Sequence, residues 1–171
     1  MSTIITSLLI IAFIIAIVFV FKWVDRIHVK KTNDKMISRL SHAGTKHGLS
    51  FTSQELLRDK VIGVDGIHRT FVVVNEKEEC TIINLEEVKN CRFQKSYEQI
   101  QYGEGANRRV ENRLSAIGLL FEYEKRNKMV PVHFFNYTIH SISEANALEA
   151  KAKDWETILS KMISAREAVR A

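Results

Sequence analysis

Six histidines and two cysteines are the residues of this 171-residue chain best suited to chemistry, and their spacing argues against most of it. His42 and His47 are five apart, so they do not share a helical face as two metal ligands four apart would, and no Glu follows His42. They read as exposed polar residues. His133 lies in Val-Pro-Val-His-Phe-Phe, and no Ser or Cys nucleophile is tied to it by a local motif, so it reads as a sheet histidine rather than a base. His140 precedes a helix start and reads as loop. Gly103-Glu104-Gly105 lacks a third glycine and opens no helix, which removes the phosphate-cradle reading. Cys80 and Cys91 match no C-x-x-C zinc or redox spacing. If a strand reversal centres on Leu85 and Glu86, the two cysteines fall opposite each other, as two free buried thiols in a reducing compartment. No Walker motif, nucleophile elbow or kinase signature is present. No catalytic residue, cofactor or metal is therefore expected.

The elements around these residues are mostly strands. Lys60 to Val74 forms two β-rich runs around Asp65-Gly66, the dipeptide of a type I′ hairpin turn, whose two central residues need positive φ. A polar turn from Asn75 to Glu79 leads to a run from Cys80 to Leu85, and another extends from Val88 to about Tyr97. Glu98 to Asn112 holds two glycines and several charges without an apolar period, and reads as a long mobile loop. Arg113 to Glu124 and Met129 to Phe135 flank a charged turn. Ser141 and Glu144 match an S-x-x-E capping box. After it, Leu148, Ala152, Trp155, Leu159 and Met162 recur at helical spacing on one face. Antiparallel strands followed by one amphipathic helix predict an α+β domain, a curved sheet or partly open barrel capped by its C-terminal helix.

The N-terminus is of another kind. Ile4 to Phe21 is apolar except for Thr6 and Ser7, and as a helix it measures about 27 Å, near the thickness of a hydrocarbon core. No basic residue precedes it and no small-residue cleavage site follows, so it reads as an uncleaved single-pass anchor. The chain carries 25 basic and 20 acidic side chains, and the whole excess of +5 falls between Lys22 and Lys46. A basic collar C-terminal to the span places the body in the cytosol and the N-terminus outside, most simply at the cell membrane. Lys22, Trp23, Arg26, Lys30, Lys31 and Lys35 are the candidate membrane-surface contacts, either as topology-fixing charges or as attractors of anionic headgroups. The division expected is a transmembrane anchor over 1–24, a basic juxtamembrane helix or linker over 25–48 ending in a helix-terminating Gly48, and a cytosolic α+β domain over 49–171.

The order of elements from about Leu49 to Met162 resembles the pleckstrin-homology-like superfold. The likeness rests on the tight first hairpin, the Ile-Ile-Asn-Leu-Glu-Glu-Val step from Ile82 to Val88, the later strands and a closing helix bearing Trp155. It implies binding of lipid headgroups, peptides or other proteins, without catalysis as a rule. Lipid-binding members set basic residues across the first strand pair. Here its turn is short and acidic, with Arg58, Lys60, His68 and Arg69 nearby, a departure that argues against phosphoinositide recognition.

Two classes of function follow: a membrane-tethered binding or scaffold domain, including a bitopic subunit of a membrane complex, or a small membrane-anchored enzyme without a recognisable motif. A deep pocket with convergent titratable groups would mark the enzyme, and an apolar groove or open strand edge the binding domain. The partners expected are the bilayer and a protein. Nucleic acid is not expected, because the body after Lys46 is neutral and has no basic stripe.

Overall fold

A computed structural model describes residue 19, residues 32–77, 79–103, 108–125 and 128–170, with side chains as far as 165. The predicted span Ile4 to Phe21, and Lys22, Trp23, Arg26, Lys30 and Lys31, lie outside the stretches described from residue 32 on, with Phe19 alone described among them. Among the described residues no helix is long and apolar enough to cross a membrane.

The strands form two antiparallel sheets, and neither closes into a barrel. The first holds β1 (Ser53–Leu56), β2 (Lys60–Asp65), β3 (Thr70–Asn75) and β4 (Cys80–Asn84) in sequence order, and the second holds β5 (Val88–Tyr102), β6 (Arg109–Tyr123) and β7 (Met129–Asn136). The sequence pattern predicts one curved sheet or an open barrel; instead the chain crosses between sheets after Asn84. That crossing overturns the expected juxtaposition of the cysteines. Cys80 pairs with Val74 on β3, and Cys91 pairs with Phe121 on β6. Both are free, but only Cys91 is buried.

The β2–β3 hairpin forms, with a wider turn than expected. Asp65 is the last residue of β2, pairing with Thr70, so the loop runs over four residues from Gly66 to Arg69. Positive φ falls on Arg69, at 48°, rather than on the Asp65-Gly66 pair. The physical reason is the Asp65 carboxylate. It is fully buried and accepts hydrogen bonds from the amides of Ser50 (2.6 Å), Ile67 (2.7 Å) and His68 (2.9 Å), and it meets His68 Nδ1 at 2.8 Å. A short strand, β1, precedes this hairpin and pairs along β2 from Ser53↔Val64 to Leu56↔Val61.

The stretch read as a loop from Glu98 to Asn112 is mostly strand. β5 and β6 stay in register from Tyr97↔Leu114 to Tyr102↔Arg109, beyond a bulge at Ser96/Tyr97. Cross-strand pairs hold it in place of an apolar period: Arg113 reaches Glu98 at 3.3 Å, and Arg108 bonds Gln101. β7 covers β6 only from Ala116 to Glu122, so the outer half of this hairpin is a two-stranded ribbon.

Helix α1 (residues 32–47) ends as Gly48 predicts. Gly48 has φ 65°, and the Leu49 amide reaches back to the Gly44 carbonyl at 2.8 Å, a six-residue closure of the last turn. On α1, Met36 and Leu40 are buried against Val61, Val72 and Val74, the outer face of the first sheet. Helix α2 (Ala145–Arg170) follows a 3-10 turn, Ile142–Glu144, where Glu144 accepts the Ser141 amide at 2.8 Å. It runs antiparallel along β5. Lys95 pairs with Glu149 at 2.7 Å, Glu156 accepts the Phe93 amide at 2.7 Å, and Ser160 donates to the Cys91 carbonyl at 3.2 Å. Leu148, Ala152, Trp155 and Leu159 are buried as their spacing predicts, joined by Ile163, while Met162 is half-buried. Trp155 lies 5.6 Å from the Phe71 ring, and its indole N–H donates to Glu55 at 3.0 Å.

Candidate binding surface

Strands buried on both faces lose the alternation of a half-exposed sheet and read as unbroken apolar runs. β2 and β3 are of this kind. Ile62, Val64 and Phe71 point to the core shared by the two sheets and α2, and Val61, Val72 and Val74 point to α1. β6 carries a similar run, Ala-Ile-Gly-Leu-Leu-Phe from Ala116 to Phe121. Its inward residues, Ile117, Leu119 and Phe121, are fully buried in the shared core. Its outward residues, Ala116, Gly118 and Leu120, line an open groove, with Ala116 and Gly118 buried at its floor and Leu120 half-buried.

Register fixes what stands beside them. Rows Arg92↔Leu120↔Pro131, Gln94↔Gly118↔His133 and Ser96↔Ala116↔Asn136 cross the outer face of the second sheet. Small residues in the middle row-ends and larger ones at the sides leave a groove of about 410 Å³, open to solvent, with Leu120, Met129 and Pro131 as apolar walls and Gln94, Ser96 and His133 as polar ones. Gly118 sits where β6 shifts register against β7, and a Cβ there would lie 2.2 Å from the Val132 carbonyl oxygen. The groove floor therefore depends on glycine.

His133 borders a polar cluster. Burial, and next the Lys60 ammonium, hold its imidazole below the ordinary value, with Asp59 acting the other way, so it is neutral at pH 7 and able to donate or accept one hydrogen bond. Lys60 pairs with Asp59 at 2.8 Å. Asp59 Oδ1 lies 3.8 Å from His140 Nε2, and both atoms are buried without a hydrogen-bond partner. His140 lies in the loop after β7, as its position suggests, and is buried there. Its side chain is 1% exposed, and Nδ1 accepts from the Asn136 amide at 3.2 Å, which closes the turn after β7 with Nε2 facing Asp59 of the β1–β2 turn. A group so enclosed cannot meet a substrate. Among the described residues no three His, Cys, Asp or Glu side chains are grouped to hold a metal ion.

Of the residues singled out as membrane contacts, Lys35 is the one described, and it is exposed on α1. The structure brings it to none of the groove residues. The basic side chains near the first hairpin are mostly engaged: Arg58 with Glu144 at 3.4 Å, Lys60 with Asp59, and His68 with Asp65. Ala116, Gly118 and Leu120 escape a search for chemistry-bearing residue types. The signal that could have found them is the unbroken apolar run itself. Comparison with known proteins gives no matching family model, no matching curated protein and no matching solved structure.

Proposed function

We propose that the chain is a membrane-tethered binding domain whose outer second-sheet groove takes an extended apolar segment of a protein partner. The observation that carries this is β6, apolar on both faces and covered on one. A wall of half-buried Leu120 with exposed Met129 and Pro131, and a few polar groups beside it, is the composition of a docking groove rather than of an active site. The engaged state of Arg58, Lys60 and His68 favours a protein ligand over a phosphorylated headgroup. The meander of antiparallel strands and the closing helix with Trp155 buried beneath it support the pleckstrin-like reading, whose members bind without catalysis. The tether is the Ile4 to Phe21 segment, with the collar from Lys22 to Lys46 keeping the body cytosolic.

The test is a photo-crosslinking residue at Met129 in the full-length chain within its native membranes. One adduct of discrete mass is expected, lost when Ala116→Arg fills the groove and retained with Ile67→Arg, an exposed change in the β2–β3 turn. An adduct insensitive to Ala116→Arg, or none at all, sinks the groove as the docking site.

A further inference from the structure

Six of the twelve exposed large apolar side chains among the described residues gather in two adjoining places. Tyr97 (61% exposed), Tyr102 (50%) and Val110 (55%) stand on the ribbon, and Tyr137 (42%), Ile139 (44%) and Ile142 (63%) stand in the segment after β7. These two places are one end of the molecule. The Tyr137 amide donates to the Ser115 carbonyl at 2.9 Å, and the Arg113 guanidinium lies 3.5 Å over the Tyr137 ring, so the segment starts at the ribbon's base. It finishes at Glu144, which lines a surface cleft with Arg58, Leu57, Thr32 and Asn33. The start of α1 is thus at the same end as the exposed tyrosines and isoleucines.

From Phe21, the last residue of the apolar run, to Thr32 is eleven residues, which reach at most about 40 Å even fully extended. The end that carries Thr32 is the one a tether holds nearest the bilayer. Tyr side chains and isolated apolar groups with arginines beside them suit the interface between headgroups and acyl chains, where one part of the side chain is buried and the other wet. On the ribbon, Tyr97 and Val110 occupy one face and Tyr102 the other, an arrangement that a fluid interface surrounding both faces accommodates.

We infer that this end, the β5–β6 ribbon together with the Tyr137 to Ile142 segment, lies in the lipid interface of the bilayer that the chain is tethered to. The inference rests on the tethered reading of the preceding section. It makes the ribbon a second membrane contact that fixes the domain's orientation and turns the outer groove in a set direction relative to the membrane.

The test uses the full chain with Cys80→Ser, reconstituted in phosphatidylcholine vesicles that contain no other protein. A fluorophore is attached at Tyr102→Cys, at Ile142→Cys or, as the control, at Ile67→Cys, and quenched by headgroup-spin-labelled lipid. Quenching at 102 and 142 several-fold above that at 67 is expected. Retention of the chain after alkaline carbonate extraction reports the tether separately. A retained chain with equal quenching at the three positions overturns the lipid contact and leaves the tether standing. A chain released by carbonate overturns both.

Discussion

The two sheets share a core but differ on the faces turned away from it. On the first, α1 covers Val61, Val72 and Val74, and even Gly63 is hemmed in, since a Cβ there would lie 2.9 Å from Phe51. On the second, Ala116, Gly118 and Leu120 form a groove bordered by His133 and Pro131. Similar apolar runs thus serve different ends. In β2 and β3 the second apolar face is used within the chain, and in β6 it lines a groove open to solvent. Burial of apolar area contributes stability only where something covers it, so the two outer faces should respond differently to truncation.

The largest loss should come from the shared core. Trp155→Ala removes a ring that is 3% exposed and takes one of the Glu55 carboxylate's partners, leaving Lys151, and should cost about 3–5 kcal/mol in denaturant unfolding of the full chain. Leu40→Ala, on α1 and also fully buried, should cost about 2–5 kcal/mol. If it costs as little as a surface change, α1 is not a true cover and the contrast between the sheets fails. Glu156→Ala is next. Its position beside the apolar stripe suggests a neutral change, but it leaves the Phe93 amide on β5 without its acceptor, a loss of about 1–3 kcal/mol. Leu120→Ser, half-buried on the groove face, should cost less than either core truncation while abolishing the Met129 crosslink. A large loss of stability there would show that the chain itself covers the groove.

Acid sharpens the same contrast from the first sheet. Burial alone would raise the Asp65 pKa, but the His68, Ser50 and Ile67 amides and the His68 ring outweigh it and hold the carboxyl far below its ordinary value of about 3.8. The unfolded chain therefore takes up this proton more readily than the folded one. The stability the carboxylate contributes is complete above the ordinary value and drains away as pH falls below it. Asp65→Asn should flatten the acid limb of stability against pH, and an unchanged limb would assign it to other carboxylates.

Periodic and capped elements were legible in the sequence because local physics sets them. The α2 stripe, the Ser141–Glu144 cap, the Gly48 stop and the strands near Lys60, Thr70, Cys80 and Met129 all follow from spacing or turn chemistry. What escaped depends on partners distant in sequence. The ribbon has no apolar period because pairs such as Glu98–Arg113 hold it, and the Asp65 turn is set by the amide of Ser50, fifteen residues earlier. The change of sheet after Asn84 has no local signature, which is why the cysteines were expected side by side. The groove was hidden for a related reason: an apolar run shows that two faces are apolar, not which of them is left uncovered.

The separated cysteines also give the molecule a built-in clock. Cys80 is exposed, so alkylating reagents reach it in the native fold even though burial nudges its thiol upward. Cys91 is 2% exposed where Ser160 of α2 binds its own carbonyl, and burial pushes its thiol up to about 12. Since the thiolate is the reacting form, Cys91 is labelled only in the moments when α2 lifts away from β5. The ratio of the two labelling rates therefore reports the fraction of time that the helix is open, with Cys80 as the internal standard, and a ligand that clamps α2 to the second sheet would lower it.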